Sequence, residues 1–169
     1  MSQREPPIGK RTSASEQIAR VARYYRKLKE YDSGISPGML ISEEHRDLVY
    51  AFFLNCYHLK DWIKHDPYLS TIGDVENFIN TNPELRLCAD ICNSNKHFKI
   101  TRPRSSDSPE VGTFQLIGTP QKVVLRFEIM TTSGPVDTFE VATKCVKAWS
   151  RYLRLDVASH FGLDVKIGM

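Results

Sequence analysis

One block of the chain breaks an otherwise helical rhythm, and that break limits the folds open to it. Before it, apolar residues recur at three- and four-residue intervals. From Lys99 to Ser133 the texture changes. "VGTFQLIG" and "QKVVLRFEIMTT" are rich in β-branched and aromatic residues, with Gly and Pro between them. "DTFE" at Asp137 to Glu140 then matches a capping box, and helical spacing resumes through Ala142, Cys145, Val146, Trp149, Leu153 and Val157. The pattern predicts a mainly α protein. About five helices should form a bundle, with a small antiparallel sheet of two or three strands inserted before the last helix.

The first helix is expected from about Ser15 to Tyr31, burying Ile18, Val21, Ala22, Tyr25 and Leu28. Arg20, Arg23, Arg26, Lys27 and Lys29 crowd its other faces, and "DSGISPG" ends the pattern. A second helix, about Glu43 to Lys64, starts from Ser42 as N-cap and stops at "HDPY", where Pro67 disfavours helix at the residue before it. A short third helix fits 73–80. Asn82 caps a fourth, with Pro83 at its first position and Glu84 in its first turn. Residues 1–13 are polar and aperiodic, contain Pro6-Pro7, and read as a flexible arm. That leaves 14–169 as one domain, its sheet within about 99–133 and "RPRSSDSPE" an exposed loop.

Composition adds little to this. The chain has 169 residues, 41% hydrophobic and 25% charged, as in ordinary globular proteins. Its 23 basic and 20 acidic residues permit an acidic partner without demanding one. No apolar run approaches the roughly 20 residues that span a bilayer, so no membrane partner is expected. "MSQREPPIGKRTSAS" lacks the apolar region of a secretory signal, which makes the cytoplasm the expected location. No nucleophile elbow, phosphate loop or dinucleotide fingerprint occurs, and no cofactor is implied.

Two helices carry the candidate chemistry. On the second, His58, Asp61 and His65 share one face. The apolar face there is Leu48, Phe52, Cys56, Leu59 and Ile63; Asn55 falls within it, His58 and Trp62 at its edge, and Asp61 and His65 toward solvent. On the fourth, Arg86, Asp90, Asn93 and His97 fall within roughly 60° of one another, opposite Leu85, Cys88, Ile91 and Cys92. Such a stripe is first of all a solvated face, or else half of a site completed by a partner helix. Cys56, Cys88, Cys92 and Cys145 all fall in helical segments. The C-x3-C pair Cys88/Cys92 suggests a metal or redox role, but no second pair or His cluster completes a zinc set, and buried free thiols fit better.

The polar groups admit three readings. A metal site would join His58, Asp61 and His65 to Asp90 and His97, as in bundle-core hydrolases, although the Glu-x-x-His pairs of carboxylate-bridged sites are missing. A nucleic-acid surface would use Lys96, Lys99, Arg102 and Arg104 with the first helix's arginines, His97 moving a proton beside a cation that stabilises phosphate charge. The third is a non-catalytic scaffold or interaction protein, in which His58, Asp61, Trp62, Asn93 and His97 form a buried network locking the second helix to the fourth.

"CYHLKDWI" followed by "CADICNSNKHF" resembles a group of uncharacterised bacterial helical proteins with the pattern F-H-L-x-D-W, then D-I-x-N-x-x-K-H. More distantly, the helical layout is similar to the HEPN superfamily, many of whose members are dimeric, metal-independent RNases of toxin-antitoxin and anti-phage systems. Their motif is Arg, a polar residue, three variable residues and His. Asn93 and His97 fit its last two positions, while Cys92 stands where the Arg would be. The resemblance implies RNA as partner, a homodimer, and a catalytic set of His97 as acid-base, Asn93 orienting it and Lys96 meeting phosphate. Arg86, Asp90, His58, Asp61, Lys99, Arg102 and Arg104 would then serve binding.

Overall fold

The computed structural model describes residues 13–39, 42–96, 103–105 and 108–162. It is mainly α: α1 (Ala14–Ser33), α2 (Ser42–His65), α3 (Val75–Thr81) and α4 (Pro83–Lys96) precede a three-stranded antiparallel sheet, and α5 (Thr138–Leu153) and α6 (Val157–Phe161) follow it. The strands β1 (Glu110–Thr119), β2 (Lys122–Thr131) and β3 (Gly134–Asp137) lie in the order β1-β2-β3. Most of the expected N-terminal arm lies outside the described residues.

The helices form where spacing and caps agree. Ser13 accepts the Ser15 amide at the start of α1, which buries Ile18, Val21, Ala22, Tyr25 and Leu28. Gly34 ends it at φ 97°, a left-sided conformation that a side chain would resist. Asn82 starts α4 through its backbone carbonyl, which receives the Leu85 and Arg86 amides, while its side chain turns back to Phe78 O. Asp137 accepts the Glu140 amide at the start of α5.

Two expectations are corrected here. The last helical stretch breaks at Arg154, which adopts φ 55° and caps α5, so Val157 opens a separate short helix. The loop before the sheet is not simply exposed: Pro103, Arg104 and Ser105 are half-buried and Pro109 is buried.

α1 packs on α2, α2 on α4, and α5 against all three. Phe52, Phe53, Leu59 and Ile63 of α2, Leu85 and Ile91 of α4, and Trp149 of α5 are buried at the centre. On β2, Leu125, Phe127 and Ile129 alternate inward, the period-2 signature, and the strand lies against α1 and α5. Beyond that contact the β1–β2 hairpin projects, leaving Leu116 and Ile117 exposed. Its far end is tied back where Ile35 and Val123 exchange backbone hydrogen bonds of 2.7 and 2.9 Å. Among the described residues no helix is long and apolar enough to cross a membrane.

Candidate functional site

The second helix places its polar residues as its spacing implies. His58 Nδ1 lies 3.2 Å from Asp61 Oδ2, and both side chains are substantially exposed. Asn55, inside the apolar face, donates to Ala51 O, and the buried Gln17 of α1 donates to the Asn55 carbonyl and side-chain oxygens. Burial of those groups therefore comes with hydrogen-bond partners. His65 is exposed and Trp62 half-buried.

From Asp61 a chain of contacts runs outward. Lys60 Nζ sits 3.3 Å from Asp61 Oδ1 and donates to Glu76 Oε1 of α3 at 3.0 Å. Lys64 donates to the same Glu76 oxygen, and Arg104 Nη2 reaches the other at 2.9 Å. Arg104 also donates to Asn80 Oδ1, and the Lys60 ammonium and Arg104 guanidinium both lie over the Tyr57 ring. Burial pushes the Glu76 carboxyl up, but hydrogen bonds from Lys64, Lys60 and Arg104 outweigh it and hold it at about 2. Burial likewise raises Asp61, and its His58 hydrogen bond and the Lys60 charge bring it below the usual range.

The fourth helix departs from its wheel. Asp90 is fully buried rather than part of a solvated stripe. Its Oδ1 accepts the Arg104 amide at 2.8 Å; its Oδ2 accepts the Ser105 amide at 2.6 Å and hydroxyl at 2.5 Å. Residues 104–105 thus lie across α4 as a strap, and Asp90 holds their backbone. Arg86 and Asn93 are half-buried, and Arg86 Nε is buried without a hydrogen-bond partner. His97, Lys99, Arg102 and the Lys96 side chain lie outside the described residues.

Of the expected buried network of His58, Asp61, Trp62, Asn93 and His97, the last lies outside the described residues, and the first two are not buried. The His58–Asp61 pair sits at the surface, and beside the direct packing of α2 on α4 a charged route joins them through Lys60, Glu76 and Arg104 to Asp90. Lys60, Lys64, Tyr57, Glu76, Asn80 and Ser105 were missed from sequence. One weak signal was present: Lys60 and Lys64 are like charges one turn apart, a mild repulsion that a carboxylate from another element relieves.

No His-and-carboxylate group of metal-ligand geometry forms among the described residues; the grouping that does is Cys56, Cys88 and Cys145. None of the four cysteines is in a disulfide and all are buried, as expected. Chemically, the charged surface chain holds three cations against two carboxylates, so its fixed charges nearly cancel. No family model, curated protein or solved structure matches the chain.

Proposed function

We infer that this chain is a non-catalytic scaffold or interaction domain whose polar constellation serves its architecture. The observation that carries this reading is Asp90. A fully buried carboxylate whose two oxygens already accept three hydrogen bonds from residues 104–105 is enclosed by the protein rather than presented to a substrate. The neighbouring cations are similarly engaged: Lys60, Lys64 and Arg104 converge on Glu76. Groups so paired are poorly placed to meet a phosphate without first releasing a carboxylate.

An RNA-directed, HEPN-like activity is the second reading. It is favoured by the exposed Arg23, Arg26 and Lys27 of α1 and by the position of His97 directly after the end of α4. In that reading His97 is the acid-base, Asn93 orients it, and Lys96 or Arg86 meets phosphate.

One experiment separates them. Full-length protein is assayed for binding and cleavage of single-stranded RNA at low salt without added metal, beside thermal unfolding of wild type and His97→Ala. The scaffold reading expects no binding and no cleavage. RNA turnover lost in His97→Ala at unchanged Tm would sink it and establish the second reading.

A further inference from the structure

Three thiols meet at the centre of the bundle. Cys56 comes from α2, Cys88 from α4 and Cys145 from α5, and none is exposed. Their sulfurs all lie within 4.8 Å of one another. Cys88 donates to Phe53 O and Cys145 to Glu84 O, each at 3.4 Å, so two thiol protons are held by carbonyls of neighbouring helices.

A second observation points into this cluster. Trp149, one turn beyond Cys145, is fully buried, and its indole Nε1 has no hydrogen-bond partner. The indole N–H lies beside the Cys56 thiol. A neutral thiol is a weak acceptor for an indole N–H, whereas a thiolate is a strong one. A metal-bound thiolate would give this buried indole the acceptor it lacks.

We propose that Cys56, Cys88 and Cys145 form a three-sulfur site for a soft monovalent cation, Cu+, which pins α2, α4 and α5 together. Thiolates select soft ions. A structural Zn2+ completes a tetrahedron with a fourth protein ligand, whereas the group here offers three sulfurs and no exposed position for water. Three coplanar sulfurs satisfy Cu+. With metal–sulfur bonds of about 2.3 Å, they stand roughly 4 Å apart, inside the observed spread. Each sulfur that binds as thiolate releases its proton to solvent, and no electron changes hands. The Trp149 N–H then supports a coordinated sulfur, as outer-shell donors do at metal sites. Because the ligands come from three helices far apart in sequence, binding adds directly to folding stability.

Cys92 supplies an internal control, being buried one turn from Cys88 but outside the group. Reduced full-length protein is titrated anaerobically with Cu+ held by bicinchoninate, both folded and refolded in its presence. The expected result is transfer of one Cu+ per chain, with a thiolate-to-copper charge-transfer band, three sulfur neighbours by X-ray absorption, and a Tm raised by several degrees. Cys56→Ala, Cys88→Ala and Cys145→Ala, each checked for native circular dichroism, should weaken binding at least tenfold, while Cys92→Ala leaves it unchanged. Trp149→Phe keeps an aromatic ring but removes the N–H and should weaken binding several-fold. No transfer in either protocol overturns the site. So does transfer that survives all three single variants or that depends on Cys92. Four-coordinate Zn2+ binding in place of Cu+ overturns the assignment of the ion.

Discussion

The polar faces of α2 and α4 look alike on a helical wheel and end in opposite environments. On α2, His58 and Asp61 lie at the surface, with side-chain exposures of 36% and 45%. On α4, Asp90 is 0% exposed. Both stripes turn away from an apolar face, so each helix taken alone puts its polar groups in water. What separates them is a strap from another part of the chain. Residues 104–105 cross α4 and donate two amides and a hydroxyl to Asp90. Among the described residues, the partners of Asp61 are the His58 ring and the Lys60 ammonium, and the carboxylate keeps 45% of its side chain exposed. A wheel reports direction relative to a helix's own core face, and only tertiary structure says what lies over the other side.

The comparison is tested most severely at Asp90. Replacing it with Ala leaves three buried or half-buried donors unanswered, and such groups cost about 1–3 kcal/mol each before relaxation. Partial solvation of the loosened strap lowers the total, so Asp90→Ala should destabilise by about 3 kcal/mol. For a chain of this size that is a Tm loss of roughly 6–12 °C by thermal melt. The loss should be nearly independent of salt, because the buried pairing is little screened. A shift below 2 °C would show that the strap is not held through Asp90.

How far this was visible beforehand follows the same division. The helices were legible because local signals agreed with tertiary demand. Gly34, Asn82 and Asp137 end or begin elements through local backbone and side-chain hydrogen bonds that a short window contains. The break at Arg154 was not legible, since no Gly or Pro marks it and a non-glycine residue takes the left-handed conformation. In the site, the His58–Asp61 pairing could be read because three residues separate the two on one helix. Glu76, the strap over Asp90 and the meeting of Cys56 with Cys88 and Cys145 depend on contacts 12 to 89 residues apart in the chain. No local period encodes those.

Glu76 gives the next largest effect. Glu76→Gln keeps the shape but withdraws the charge facing Lys60, Lys64 and Arg104. Partly exposed ion pairs contribute up to about 1 kcal/mol each, and the three cations left behind repel one another. We expect a loss of about 1 kcal/mol, seen as a lower urea midpoint with an unchanged slope. Unlike the Asp90 effect, it should shrink markedly at 1 M salt. An equal loss at low and high salt would erase the distinction between the two faces.

Acid sharpens the same contrast. Folded Glu76 titrates at about 2, below the 4.5 of the free side chain. The unfolded chain therefore binds protons first as pH falls, so the Glu76 contribution is complete above about pH 4.5 and is lost progressively toward pH 2. Asp66 acts in the same direction: backbone amides, Ala14 first and then Tyr68 and Leu69, hold its carboxyl below the usual range against burial. Tm followed between pH 6 and pH 2 should fall, and Glu76→Gln should fall less steeply. Parallel curves for the two proteins would exclude Glu76 as a source of the acid loss.

His58 should matter least to stability. Its imidazole meets a carboxylate three residues along the same helix, in a pair more than a third exposed, and Asp61 keeps Lys60 as a second partner. Removing the ring takes away a side chain that is already wetted, so His58→Ala should change stability by no more than about 0.5 kcal/mol. Since a scaffold locked through His58 would lose several times that, the thermal melt of this variant measures which route joins α2 to α4. A small shift assigns the connection to Lys60, Glu76 and Arg104. A shift as large as that of Asp90→Ala would return it to His58 and make the surface face of α2 as essential as the covered face of α4.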